Sequence, residues 1–157
     1  NSVFVALARA AGIPAREIFG IRLGAAEKMG KYSKSAFGSA DEHGVANVSG
    51  GQHCRAEFYL AGFGWVPVDS ADVAKMRLAE KKSVEDKDTQ AVAKYLFGNW
   101  ENNWVGFNHA RDFELYPQPE LAPINNFGYP YAEVDGDPLN SFEPKEFKYD
   151  YVSKKLQ

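Results

Sequence analysis

The sequence predicts an α+β domain in which a helix packs on an antiparallel sheet. The first 11 residues carry apolar side chains at helical spacing, and residues 53–59 and 65–69 alternate in the manner of two strands joined by a turn. The chain has 157 residues, of which 45% are hydrophobic and 25% are charged, a composition typical of globular proteins. This length and composition predict one domain with its own core.

The composition argues against several classes of protein. A net charge of −3 provides no basic surface for nucleic acid, and no apolar run approaches the roughly 20 residues that span a bilayer. Cys54 is the single cysteine, so an internal disulfide and a cysteine-rich zinc site are excluded within this sequence. His43 follows two acidic residues in a glycine-rich segment but has no second fixed ligand. We therefore expect no metal and no cofactor.

The first elements follow from local pattern. A helix is predicted over residues 1–11, and its apolar face is formed by Phe4, Leu7, Ala8 and Ala11. A short strand is predicted over 18–23, where apolar residues alternate. Residues 24–52 contain six glycines and few large apolar groups, which predicts a long surface loop or flap.

The later elements are signalled by caps and turns. Residues 53–59 and 65–69 form the predicted hairpin, and a helix is predicted to begin at Ser83 with a capping box. Asp135-Gly136 is typical of a tight hairpin turn, and residues 142–152 add a last irregular strand.

The predicted hairpin brings a histidine and a carboxylate together. If its turn is centred on Ala61, His53 lies directly opposite Asp69 on one face, with Cβ atoms about 5 Å apart. A register shift of two residues would keep both on that face, whereas a shift of one would separate them. Two interpretations fit this pair. The carboxylate orients a catalytic imidazole, or the pair only holds the hairpin together.

A catalytic pair of this kind needs a nucleophile. Cys54 follows His53 directly on the strand, so its side chain points to the opposite face and is expected to be a small core thiol. Ser2 lies near the start of the first helix, but no adjacent base is evident, and a capping or solvated serine is the simpler interpretation.

Three blocks of sequence resemble the transglutaminase-like superfamily. Residues 1–16 end in the Gly-Ile-Pro-Ala-Arg turn that follows the first helix of that family. The His-Cys-Arg-Ala-Glu-Phe-Tyr segment at 53–59 is similar to its histidine strand, and Gly-Trp-Val-Pro-Val-Asp at 64–69 is similar to its aspartate strand. The blocks occur in the family's order. The resemblance implies a single domain over 1–157, with the motif-bearing core over about 1–75 and an aromatic-rich extension over about 76–157.

The resemblance also implies a chemistry. It predicts a papain-like fold and a Cys-His-Asp triad in which His53 is the base and Asp69 orients it. The family's cysteine stands at the start of the first helix, which places it about one turn before Asn1, upstream of this chain. The implied activity is thiol-dependent acyl transfer or hydrolysis at peptide or carboxamide bonds. The alternative is an inactive relative that binds a peptide or a glycan.

Partners and substrate contacts are expectations of the same kind. A protein or peptide substrate is expected, and the oligomeric state stays open. The resemblance favours a bacterial protein of the periplasm or the exterior. Arg55 stands where many relatives have tryptophan, and it either binds a substrate carboxylate or pairs with Glu57 on the same strand face. Trp65 is the second candidate for substrate binding.

Overall fold

The computed structural model describes residues 1–156, and its fold is α+β, as predicted. Its helices are α1 (Ser2–Ala10), α2 (Lys34–Phe37), α3 (Ser70–Ala79) and α4 (Lys87–Leu96). Its strands are β1 (Ala15–Arg22), β2 (Val45–Asn47), β3 (Arg55–Leu60), β4 (Gly64–Val68), β5 (Trp104–Asn108), β6 (Glu133–Val134), β7 (Asp137–Pro138) and β8 (Val152–Lys154).

Four strands form the central sheet in the order β4-β3-β1-β5, and every neighbouring pair is antiparallel. Strand β3 is internal and pairs with β1 on one side and with β4 on the other. Strand β4 lies at the edge, which accommodates Pro67 because an edge strand needs fewer backbone donors. The sheet thus places the start of β3 beside the middle of β1 and the end of β4 on the other side of β3.

Helix α1 packs on this sheet through a face that differs from the predicted one. Val5 is 4% exposed and contacts a cluster of buried residues from β1, β3 and β4, while Leu7 is 66% exposed. Phe4 and Ala8 pack against the same cluster, as predicted. The buried face therefore includes Val5 and leaves out Leu7. The surface of the sheet decides which side of a short helix is covered.

The segment 24–52 is not a surface loop, and this prediction was wrong. It contains α2 and β2, and Phe37 is fully buried in a core with Met29, Met76 and residues of α4. Small and polar residues dominate the segment's composition, so its few buried apolar groups gave no periodic pattern.

Helix α3 was not predicted, and α4 begins later than expected. Asp69 caps α3, and its carboxylate accepts a hydrogen bond from the backbone N–H of Asp72 at 3.1 Å. Asp86 caps α4, where Ser83 had been expected to begin the helix. The sequence of α3 has almost no amphipathic pattern because both polar and apolar side chains are buried along it.

The extension after α4 contains mostly irregular backbone. Asp135 and Gly136 both have positive φ in the turn between β6 and β7, which confirms the predicted hairpin. Strand β8 pairs with β2 and so returns the end of the described chain to the segment 24–52. Across residues 1–156, none of the helices has the length and apolar character that a membrane crossing requires.

Candidate active site around His53 and Asp69

His53 and Asp69 are in direct contact. The Nε2 atom of His53 lies 2.8 Å from Oδ2 of Asp69, and the carboxylate is completely buried. The His53 backbone is held on both sides, because its N–H donates to the carbonyl of Gly20 at 2.9 Å and its carbonyl accepts from Nε1 of Trp104 at 2.7 Å. Since Nε2 is engaged by the carboxylate, Nδ1 is the ring nitrogen left for a reaction partner.

The hairpin that brings the pair together has a different register from the predicted one. Ala56 pairs with Val68 and Leu60 pairs with Gly64, so the turn is centred on Gly62 rather than on Ala61. Each residue of β3 therefore pairs with a residue two positions later in β4 than predicted. His53 and Asp69 stay on the same face of the hairpin but lie diagonally rather than directly opposite each other. Asp69 follows the end of β4 and lies level with Arg55, and the imidazole reaches it from just before β3.

Asp69 is surrounded by hydrogen-bond donors. Its Oδ1 accepts from Nδ2 of Asn1 and from the N–H of Asp72, both at 3.1 Å. Burial by itself would raise the pKa of Asp69. The hydrogen bond and charge of His53, together with those two donors, outweigh burial and hold this pKa below its ordinary value. The carboxylate is therefore ionised across the neutral range and can hold the imidazole in one orientation.

A second buried carboxylate, Asp72, lies beside the pair. Its Oδ1 is 3.5 Å from Nε2 of His53, and Nη2 of Arg22 donates to both of its oxygens at 2.7 and 2.9 Å. Burial and the neighbouring charge of Asp69 raise the pKa of Asp72, and His53 and Arg22 oppose this rise only in part. Sequence reasoning missed this residue. Asp72 follows Asp69 by three residues, which is the spacing between a helix N-cap and the third residue of that helix. This spacing could have indicated that Asp72 lies close to Asp69.

Arg55 does not face a cleft and does not pair with Glu57. It is 1% exposed, its Nε lies 3.3 Å from Oδ2 of Asp69, and its Nη1 donates to the carbonyl of Glu101 at 2.6 Å. Glu57 pairs instead with Arg16 at 2.8 Å, because strand β1 lies directly beside β3 there. The expected Arg55–Glu57 pair was therefore wrong. Burial of Arg55 also leaves no exposed surface with which it could contact a substrate.

Trp65 remains on the surface but away from His53. It is 40% exposed, and the guanidinium of Arg16 lies 4.0 Å from its ring centroid. Four residues separate it from Asp69 along β4, a distance of about 13 Å in an extended strand. Its predicted contact with substrate therefore lies outside the immediate surroundings of the imidazole.

The start of α1 adjoins the His53–Asp69 pair. Nδ2 of Asn1 donates to Asp69 and to the carbonyl of Cys54 at 2.6 Å, and Oδ1 of Asn1 accepts from the N–H of Ala71 at 3.3 Å. Ser2 is engaged elsewhere, because its hydroxyl donates to the carboxylate of Glu17 at 2.5 Å. Asn1 therefore links α1 to Asp69 and to the backbone that follows His53.

Cys54 lacks the surroundings of an activated thiol. Its side chain is half-buried and unpaired, and burial is the largest cause that raises its pKa above the ordinary value. A reactive cysteine normally has a lowered pKa, because the thiolate is the nucleophile. The expectation that Cys54 is a structural residue is consistent with this environment, although it is less deeply buried than a core thiol.

Three groups of the site could together hold a metal ion. His53, Asp69 and Asp72 each offer a ligand atom, and these atoms lie within 4.8 Å of one another. Both carboxylates, however, are already neutralised by arginines, Asp72 by Arg22 and Asp69 by Arg55. A cation would have to compete with these two fixed charges, so the arrangement suits an orienting hydrogen bond better than a metal centre.

The first 70 residues match the family model described as the transglutaminase-like superfamily. This part of the chain belongs to that superfamily. The match covers every element from α1 to β4 and the residue at which α3 begins, and it includes both His53 and Asp69.

Comparison with curated proteins points to a bacterial relative. The chain is 95% identical over 156 residues to an uncharacterised protein of Haemophilus influenzae. The alignment covers 99% of this chain and 42% of that protein, so the chain spans about two-fifths of its relative's length. No solved structure matches the chain.

Proposed function

We propose that this domain carries out thiol-dependent acyl transfer or hydrolysis at peptide or carboxamide bonds, with His53 as the base and Asp69 as the residue that orients it. The observation that carries the proposal is the 2.8 Å contact between Nε2 of His53 and the buried Oδ2 of Asp69, next to the start of α1. Membership of the transglutaminase-like superfamily supports the same class of chemistry.

The nucleophile in this proposal is a cysteine about one helical turn before Asn1. A residue there would continue the start of α1, where Asn1 already contacts Asp69 and Cys54. A thiolate at that place is stabilised by the helix dipole and by the neighbouring imidazolium. Cys54 and Ser2 are not chosen, because the pKa of Cys54 is raised and the hydroxyl of Ser2 is bonded to Glu17.

The reaction then follows in two steps. Nδ1 of His53 takes the thiol proton, the sulfur attacks the carbonyl carbon, and the imidazolium returns the proton to the leaving amine as the carbon–nitrogen bond breaks. The resulting thioester is cleaved by water in a hydrolase or by an amine in a transferase, with His53 removing a proton from that acceptor. Asp69 stays ionised throughout and keeps the ring in place.

Thiol labelling of the full-length protein tests this proposal. Iodoacetamide at pH 6 should modify the cysteine before Asn1, because an activated thiol reacts well below its ordinary pKa of about 8.5. Mass spectrometry would locate the label. His53→Ala should abolish the rapid labelling, and Asp69→Asn should slow it, since the imidazole loses its fixed orientation.

Two variants serve as controls. His43→Ala removes an exposed histidine of the 24–52 segment and should leave the labelling rate unchanged. Cys54→Ser should also leave it unchanged. Equal labelling of the His53→Ala variant, or label on Cys54 alone, would contradict the assigned roles and would favour a binding module without catalysis.

A further inference from the structure

A polar cavity opens beside His53. It has a volume of about 320 Å³ and lies between the 24–52 segment, the end of β1 and helix α3. His53 belongs to its wall, so the cavity and the proposed catalytic pair share one residue. Its polar and charged lining side chains are Arg22, Ser35, Ser39, Asn47, Gln52, His53 and Lys75.

The cavity is cationic. Arg22 and Lys75 line it, and no aspartate or glutamate belongs to its lining. Lys75 is exposed on α3 and makes no ion pair with any residue in the part of the chain that the structure describes. The nearby carboxylate of Asp72 is paired with Arg22. It therefore does not provide a counter-charge for the Lys75 ammonium.

Arg22 is an unusual wall residue because it is buried and only partly bonded. It is 6% exposed, and its Nη2 holds Asp72, while its Nη1 has no acceptor among the described residues. Buried polar groups are nearly always bonded, and an unsatisfied donor costs about 1–3 kcal/mol. The orphaned Nη1 indicates that this end of the cavity is arranged for an acceptor that the chain itself does not supply.

Two neutral side chains of the lining are engaged by groups of the protein itself. Nε2 of Gln52 donates to the carbonyls of Ser49 and Gly128, both at 3.0 Å, and Oδ1 of Asn47 accepts from the N–H of Ser49. Lys75 and Nη1 of Arg22 add two cationic donors to this lining, and cationic donors favour an anion.

We propose that this cavity binds a carboxylate of the acyl-donor substrate and so places the scissile carbonyl next to His53. This inference rests on the proposed function, because placing the carbonyl next to His53 matters only if His53 is the catalytic base. The carboxylate could be an acidic side chain or a free carboxyl terminus, since both present the same two oxygens to Lys75 and Arg22.

Direct binding to the full-length protein tests the proposal without any turnover. Three probes are titrated by calorimetry: acetyl-Ala-Ala-Ala amide, the same peptide with a free carboxyl terminus, and acetyl-Ala-Glu-Ala amide. At least one carboxylate peptide should bind about tenfold more tightly than the neutral peptide, the value expected for one charged hydrogen bond. The two carboxylate peptides distinguish a terminal from a side-chain anion.

Variants assign the binding to the cavity. Lys75→Met should remove the preference for the carboxylate, whereas Lys94→Met, at an exposed lysine of α4, should retain it. Equal affinities for all three peptides, no binding at all, or an unchanged preference in Lys75→Met would overturn the inference. A retained preference without cysteine labelling would instead overturn the catalytic proposal alone.

Discussion

At the residue scale, the site depends on charges that are removed from water and matched one by one. Arg55 is buried beside Asp69, and its guanidinium lies 4.8 Å and 5.8 Å from the ring centroids of Trp104 and Trp100. Burial lowers the pKa of Arg55 below its usual value, and the charges of Asp69 and Asp72 oppose that change. The arginine therefore acts as a buried support for the carboxylate that holds His53.

The support by Arg55 can be measured as stability. Arg55→Met should lower the free energy of unfolding by about 3–5 kcal/mol, because Asp69 would keep a buried charge with one partner fewer. Arg16→Met is the matched control, since the Arg16–Glu57 pair is only partly buried and should contribute about 1 kcal/mol. Urea denaturation followed by tryptophan fluorescence gives both values. Equal losses in the two variants would show that the buried pair has no special role.

At the element scale, the segment 24–52 is held closely against β1 by its glycines. Gly38 has φ 86° and ψ 165°, a conformation that is essentially restricted to glycine. A Cβ atom there would lie 2.3 Å from the carbonyl oxygen of Gly24 and 2.8 Å from Cδ of Arg22. The absence of a side chain at Gly38 thus lets α2 end directly over the arginine that lines the cavity.

Gly38→Ala should therefore cost more than another glycine substitution at similar φ. Gly62 in the β3–β4 turn has φ 85°, but a Cβ atom there would meet nothing within 4 Å. We expect Gly62→Ala to cost about 1–2 kcal/mol from backbone strain, and Gly38→Ala to cost more because its clash adds to that strain. Thermal and urea unfolding of the two variants compare them directly. A smaller loss for Gly38→Ala would mean that α2 moves away at little cost.

At the scale of the whole molecule, regular secondary structure is unevenly distributed along the chain. The central sheet joins β1, β3, β4 and β5, and buried side chains from α1, β1, β3 and β4 pack around it. Residues 110–150 contain one hairpin of two-residue strands and one isolated bridge, between Phe113 and Ile124, and most of their hydrogen bonds are local. Regions with few buried contacts open more readily than the core.

Hydrogen exchange should reveal this difference. Amides of β1 and β3 are expected to exchange most slowly, because β3 is paired on both sides, and those of 139–150 most rapidly. The segment around Phe37 should be protected like the sheet, since its side chain is fully buried. Mass spectrometry of peptic fragments resolves these regions. Fast exchange around Phe37 would contradict the view that the 24–52 segment belongs to the core.

Several features of the site could be predicted from local pattern and family resemblance. Strand alternation placed His53 on the face of β3 that Asp69 approaches, and a shift of two residues in register did not separate them. The first helix and the turn at Asp135-Gly136 were also evident, because caps, turn residues and short periodicities act within a few residues of one another. The α+β class followed from the same signals.

The sequence by itself thus determined the fold class, the hairpin and the pairing of His53 with a carboxylate. Only the tertiary structure decided which charges surround that pair. Arg22 meets Asp72 from 50 residues away, and Arg55 meets the carbonyl of Glu101 from 46 residues away. Such contacts leave no periodic trace in the sequence, because their partners are selected by packing of separate elements and by the cost of burying an unmatched charge. For the same reason the cavity beside His53, with its two cations, became visible only in three dimensions.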